Sequence, residues 1–357
     1  MDVPTAVAQR AATVDAALAA HVERAGPRLQ ALHPALGPLA DELHDYVIDG
    51  GKRLRPVLLL LGHEIAGGDP ADVLGAAVAV ELLHTCALLH DDVIDDAPTR
   101  RGRPTTHLTF AARHRDGAWS GEPARFGEAI AILLGDLAFV QADEALLAST
   151  VPADALLAGL HAFTQLREEV MAGQALDVLA AATRTTDADL ARTVATLKSG
   201  RYSVTRPLQL GAVLAGADGD LLDALEAVGD PLGRAFQFRD DLLGVFGDQD
   251  TTGKSATGDL AEGKRTLLVA QAWDALDDAG RAVLAAGLGR ADLGAGDAAE
   301  IRDLMTASGA RGAVEAEIDA EVEHARAALD VVAEHAPGTA AVGVLREFTG
   351  WFAGREA

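Results

Sequence analysis

The sequence predicts an all-α protein on three observations. Alanine and leucine dominate a chain that is 49% hydrophobic and only 4% aromatic, a balance that favours helix over strand. Apolar residues recur at helical spacing along nearly the whole chain. The breaks between these runs are Gly and Pro positions.

Taken in order, residues 5–25 form an amphipathic opening helix. Residues 34–68 read as a helix, a break at Gly50-Gly51, then a buried helix. The next helix starts at Asp69, a good N-cap, with Pro70 at the first helical position, and runs through the four aspartates to Asp96, where Pro98 closes it. Residues 112–128, "ARHRDGAWSGEPARFGE", are expected to be a loop. Helices follow over 129–150 and 153–182. Another over 187–216 is broken at Pro207. A long one over 221–248 leads into a polar, Gly-rich loop, residues 249–266, and the remainder is again Ala-rich helix. No short-period repeat and no Pro/Ser linker intervenes, so residues 1–357 are expected to form a single domain, one large helical bundle.

The formal net charge of -24 argues against a nucleic-acid partner, because a phosphate backbone needs a basic surface. Small anions need only a local basic patch or a bound cation. The single cysteine, Cys86, excludes an internal disulfide and fits a reducing compartment. The first residues lack a basic segment followed by an apolar one, and the longest apolar run carries Glu81 and two histidines, so no transmembrane segment is expected. These features point to a cytoplasmic protein.

Two acidic clusters carry the chemistry. On a helix through residue 96, Asp91 and Asp95 share one face and Asp92 and Asp96 form a second pair. Carboxylates crowded at a helix C-terminus are opposed by mutual repulsion and by the macrodipole. A multivalent cation reverses both, and carboxylates with phosphate oxygens suit Mg2+. Asp240 and Asp241, in "FQFRDDLLGVFGD", sit inside an apolar helical pattern, where a buried pair costs desolvation unless charge compensates it.

Cations lie beside both clusters: Arg100, Arg101 and Arg103 behind the first, Lys52, Arg53 and Arg55 in "GGKRLRP", and Lys254 and Lys264 in the Gly-rich loop. Guanidinium groups suit bidentate phosphate contact. For Arg53 and Arg103, plain counter-charge is an equal reading. His84 lies two turns before Asp91 on the same helix face. "GDLAEGKRT" approaches a P-loop but continues with Arg265 and lacks a preceding strand, so a nucleotide hydrolase is rejected. The loop and its two lysines could close over a phosphate.

These segments, with "LKSGRYSVTRPLQLGA", resemble in order five motifs of the trans-isoprenyl diphosphate synthases, or polyprenyl synthetases. The resemblance implies an isoprenoid synthase fold, a helical bundle around a central cavity, usually homodimeric. It implies a Mg2+-dependent prenyltransferase that joins isopentenyl diphosphate to an allylic diphosphate (dimethylallyl, geranyl or farnesyl). Asp91, Asp95 and Asp240 would ligate Mg2+, with Asp92 and Asp241 in support. Arg100, Lys198 with Ser199, Gln237, Lys254 and Lys264 would hold the allylic diphosphate. Lys52, Arg55, His84 and Arg101 would hold isopentenyl diphosphate. One departure is Gly244, which replaces the last aspartate common in the second motif; the loss is expected to be tolerated. A class I terpene cyclase would need no second diphosphate site. For product length, residues at turn spacing before Asp91 would act as a ruler: Ala87 with Cys86, then Leu83, then Val80. Early-stopping members often place an aromatic at the position of Cys86, so the small residue here favours geranylgeranyl diphosphate, with farnesyl or longer products as alternatives.

Overall fold

The computed structural model describes residues 4–49, 51–247, 258–290, 292–336 and 339–353. Within them the chain is helical almost throughout: α1 (Thr5–Leu32), α2 (Gly37–Ile48), α3 (Leu54–Ile65), α4 (Leu74–Ile94), α5 (Thr106–Asp116), α6 (Pro123–Leu147), α7 (Ala153–Thr183), α8 (Ala188–Val194), a π-helical segment (Ala195–Thr205), α9 (Arg206–Leu214), α10 (Gly219–Phe246), α11 (Gly258–Glu262), α12 (Leu267–Ala275), α13 (Asp278–Gly287), α14 (Ala295–Ala307), α15 (Ala310–His335) and α16 (Ala340–Ala353). The only strands among the described residues are β1 (Thr99–Arg100) and β2 (Arg103–Pro104), an antiparallel pair just after α4.

The helix α4 is central because its sequence is apolar on every side. Ala76 to Val80, Leu82, Leu83, Cys86 and Leu89 are all buried, as expected for a helix without a solvent face. Residues 70–94 are long and apolar enough to cross a membrane by length and composition, but 67% of their most apolar stretch is buried by neighbouring helices. The first apolar core joins α1, α2, α4, α6 and α7. A second joins α3, α9, the first half of α10, the end of α15, and α16. The third gathers α12, α13 and α14 with the end of α10 and the start of α15. The site lies where the first and third cores approach each other.

Four local expectations need correction. The helix α4 stops at Ile94, with Asp95 as its C-cap, so Asp96 lies outside it. The expected loop over 112–128 is largely helix, and only residues 117–122 separate α5 from α6. Pro207 does not break its helix. It cannot donate to the carbonyl four residues back, and it sits in the first turn of α9, directly after the π-helical segment. Part of the expected Gly-rich loop is the short helix α11; residues 248–257 fall outside the described residues.

The Gly-Gly break holds a structural ion pair. Arg53, at φ 48°, turns inward to Glu81 Oε1 at 2.7 Å, Asp15 Oδ1 at 2.7 Å and the Val47 carbonyl at 2.9 Å. It fastens α1, α2 and α4 together at the start of α3, so counter-charge is its role.

Candidate active site

The C-terminal end of α4 separates its aspartates. Asp91 and Asp95 stay on one face, with the Asp95 N–H donating to the Asp91 carbonyl at 2.8 Å. Asp96 enters the left-handed region at φ 48°, and its exposed carboxylate lies 3.7 Å from His107. The expected pairing of Asp92 with Asp96 therefore does not form. Asp92 points inward and is 1% exposed. It accepts from Tyr46 Oη at 3.1 Å and from Arg100 Nε at 2.8 Å. Burial pushes its carboxyl above the usual range, although Arg100 and Tyr46 oppose this. Asp92 thus fixes Arg100, whose Nη2 lies 3.8 Å from Asp91 Oδ2. Burial, with Asp91 beside it, pushes Asp95 up to about 6.

A second layer comes from α7 and the π-helical segment. Gln174 Nε2 donates to Asp91 Oδ1 at 3.0 Å. Lys198 Nζ lies 2.6 Å from Asp177 and 3.6 Å from Asp91. Burial alone would lower the Lys198 pKa, but Asp91 and Asp177 outweigh it and hold the ammonium charged. The approach requires Gly173, because a side chain there would strike the backbone of Lys198. Ser199 beside it is half-buried.

The second acidic cluster lies on α10. Asp240 is half-buried and Asp241 buried. Gln237 Nε2 donates to Asp241 Oδ1 at 2.6 Å. Burial, followed by the charge of Asp259, pushes the Asp241 carboxyl up to about 8. Lys264 bonds Asp259 at 3.0 Å and Glu262 at 2.9 Å, and its charge acts on both Asp95 and Asp241. The two acidic clusters therefore share this lysine. At Gly244 the structure supplies what the motif lacks: a side chain added there would run into the Asp259 carboxylate. A carboxylate from α11 stands where the missing aspartate would project. Lys254 and Asp248 lie outside the described residues.

Two turns back along α4 the charge reverses. Tyr202 Oη lies 3.2 Å from His84 Nδ1, and the Arg55 guanidinium stacks 4.5 Å from the Tyr202 ring centre. Burial, then the charges of Arg55, Arg101, Arg100 and Arg53, hold His84 well below the ordinary imidazole value. Arg55 Nε is buried without a partner among the described residues. Lys52 Nζ sits 5.8 Å over the Trp351 ring. Arg101 donates to the Asp49 carbonyl, and Arg103 pairs with Asp49 and Asp45, the counter-charge reading.

The donor set fits Mg2+. Among the described residues, no three His, Cys, Asp or Glu side chains form a ready-made metal site. An ion that takes one or two carboxylates and completes its shell from phosphate and water needs none. Burial is the main cause of the raised Asp95 and Asp241 carboxyls, with the neighbouring carboxylates Asp91 and Asp259 adding to it, and a bound cation would offset both.

Of the ruler positions, Cys86, Leu83 and Val80 are packed into the first core. Ala87 is half-buried, between His84 and Asp91 on their helix face. Burial pushes the Cys86 thiol up to about 12, which leaves it inert as a nucleophile.

Gln174, Asp177, Tyr46, Tyr202 and Asp259 were not singled out from sequence. Gln174 and Asp177 do leave a trace, as two polar residues three apart in the otherwise apolar stretch "GQALDVLAAA".

Known proteins are similar to this chain along most of its length. The family model for polyprenyl synthetase matches residues 38–305. A short chain isoprenyl diphosphate synthase of Methanothermobacter thermautotrophicus is 35% identical over 68% of this chain and 69% of its own length. A (2E,6E)-farnesyl diphosphate synthase of Mycobacterium tuberculosis is 36% identical over 61% of this chain and 56% of its own. The crystal structure of a geranylgeranyl pyrophosphate synthase from Corynebacterium glutamicum, complexed with isoprenyl diphosphate and magnesium, superposes with a TM-score of 0.92 at 35% identity, covering 100% of both chains. With a family match over residues 38–305, the chain belongs to the polyprenyl synthetase family of trans-prenyltransferases.

Proposed function

We propose that this protein is a Mg2+-dependent prenyltransferase that condenses isopentenyl diphosphate with an allylic diphosphate and releases geranylgeranyl diphosphate. The observation that carries the reading is the reversal of charge along one face of α4. Asp91 and Asp95, with Lys198, Lys264 and Arg100 around them, serve a metal-bound diphosphate. His84, with Arg55, Arg101 and Lys52, serves a second, metal-free one. The seven residues from His84 to Asp91 span about 10 Å, room for two diphosphates whose hydrocarbon ends meet. A cyclase would have no use for the second subsite.

In this reading Asp91, Asp95 and Asp240 hold Mg2+, which when bound offsets the carboxylate repulsion and the charge developing on the leaving diphosphate. Arg100, oriented by Asp92, and Lys198, held by Asp177, fix the allylic diphosphate, with Gln237 and Lys264 closing from α10 and the segment after it. Ionisation of the allylic C–O bond leaves a carbocation. The isopentenyl double bond attacks it, forming the new C–C bond, and the departed diphosphate takes the proton. No protein base is required.

The subsites are separable by kinetics. Lys52→Ala or Arg55→Ala should raise KM for isopentenyl diphosphate about tenfold, and Lys264→Ala or Arg100→Ala should do so for the allylic substrate, since a charge-assisted contact contributes roughly 1.5–3 kcal/mol. Equal effects on both substrates would refute the assignment.

Product length is read from α4. Cys86→Phe should shorten the main product toward fifteen carbons and Leu83→Ala should lengthen it, as chromatography of the dephosphorylated products would show. An unchanged profile in both places the ruler on another helix.

The assembly is proposed as a homodimer. Leu133, Val140 and Leu147 of α6 and Met171 and Val178 of α7 are 45–63% exposed and recur every seven residues. Paired apolar stripes of this kind suit a second copy of the same face. Sedimentation equilibrium should give twice the chain mass, and Val140→Asp should lower it; a monomeric parent protein would contradict the proposal.

A further inference from the structure

Tyr202 joins two residues of the metal-free subsite and has no part in the roles assigned above. It lies on the π-helical segment, which runs antiparallel to α4: Lys198 stands against Asp91 and Tyr202 against His84. Regions of i→i+5 bonding are uncommon and concentrate at functional sites. Tyr202 is 5% exposed, and among the described residues His84 Nδ1, at 3.2 Å, is the one hydrogen-bond partner of its hydroxyl. Its ring face carries the Arg55 guanidinium at 4.5 Å.

We propose that Tyr202 is the positioning residue of the isopentenyl diphosphate subsite: its hydroxyl donates to His84 Nδ1, fixing the tautomer that bears its proton on Nε2, while its ring holds Arg55 in place. The proposal rests on the two-substrate reading. A neutral imidazole carries one N–H, and the hydrogen bond at one nitrogen decides where it sits. Burial and the four neighbouring arginines keep His84 neutral, and burial keeps the Tyr202 hydroxyl protonated by raising its pKa. With O–H donating to Nδ1, Nε2–H is available as a donor to an anion. In the opposite tautomer Nε2 would present a lone pair, which repels a phosphate oxygen. The stacked guanidinium is held by a face contact, which leaves the N–H groups on its edge for the ligand.

The test compares Tyr202→Phe, which keeps the ring and removes the O–H, with Tyr202→Leu, which removes both, in the full-length Mg2+-loaded enzyme. Tyr202→Phe should raise KM for isopentenyl diphosphate about tenfold, with kcat and the allylic KM changed by less than about twofold. Tyr202→Leu should raise it further. Nitrogen-15 NMR should show His84 as the Nε2–H tautomer in the parent and as a mixture in Tyr202→Phe. His84→Gln, with an amide N–H near the Nε2 position, should retain more affinity than His84→Asn. A His84 protonated on Nδ1 in the parent overturns the proposal. So does an unchanged KM in Tyr202→Phe when Arg55→Ala raises it, which leaves the subsite standing. If Arg55→Ala and Lys52→Ala also leave KM unchanged, the two-substrate reading itself fails and the proposal falls with it.

Discussion

Asp91→Ala and Asp240→Ala are each expected to lower turnover by roughly 10²- to 10³-fold or more, the scale seen when one preorganised group facing transition-state charge is removed, while the helical fold stays intact. The fold should survive because neither side chain is a core element. Asp91 sits near the C-terminus of α4, where the macrodipole and the nearby Asp95 carboxylate are countered by Gln174, Lys198 and Arg100. Its removal also relieves repulsion on Asp95. Two readouts separate the cause from general damage. Thermal melting of Asp91→Ala should lie close to the parent, because relief of the repulsion on Asp95 offsets the loss of the Gln174, Lys198 and Arg100 contacts. Calorimetry with inorganic diphosphate should show loss of Mg2+-dependent binding in both variants. Near-normal turnover in both would remove the basis for a metal-bound diphosphate between α4 and α10.

The same positions show what a sequence can and cannot tell. Asp91 and Asp95 were legible because i and i+4 on a helix share a face, and the helices themselves were legible from apolar spacing. The place where α4 ends was not, since the switch of Asp96 to positive φ depends on the turn into β1, and it cost the expected Asp92–Asp96 pair. Gln174 and Asp177 were missed because they reach Asp91 and Lys198 from a helix distant in the chain, and spacing reports only neighbours on the same helix. Tyr202, one turn after Lys198, was missed because its partner His84 lies far away in sequence. Gly244 looked like a loss for the same reason. Nothing local says that Asp259, fifteen residues on, will place its carboxylate against that glycine. The pairing also makes Gly244 a requirement here, because a side chain and the Asp259 carboxylate compete for one space.

Arg53 gives the second large effect, and it is on stability. Arg53→Met should destabilise the protein by about 3–5 kcal/mol, the scale for removing one partner of a buried ion pair, while leaving KM for isopentenyl diphosphate nearly unchanged in the folded enzyme. The neighbours Lys52 and Arg55 should behave in the opposite way, though all three lie in "GGKRLRP". The reason is burial. The Arg53 and Glu81 side chains are 3% and 4% exposed, at 2.7 Å, so Met would strand a carboxylate inside the first core with no water to replace the guanidinium. Asp15, 55% exposed, can return to solvent and should contribute little. The double variant Arg53→Met/Glu81→Leu should recover much of the loss, because an apolar pair of similar volume suits the site, and the cycle of single and double variants would measure the coupling. Arg53→Lys should fall between parent and Met. It keeps the charge but cannot reach Glu81, Asp15 and the Val47 carbonyl at once, which the planar fork does. Denaturant unfolding of the four variants would decide; a loss below about 1 kcal/mol for Arg53→Met would mean that Glu81 finds another partner and that the clamp is not what fastens α1, α2 and α4.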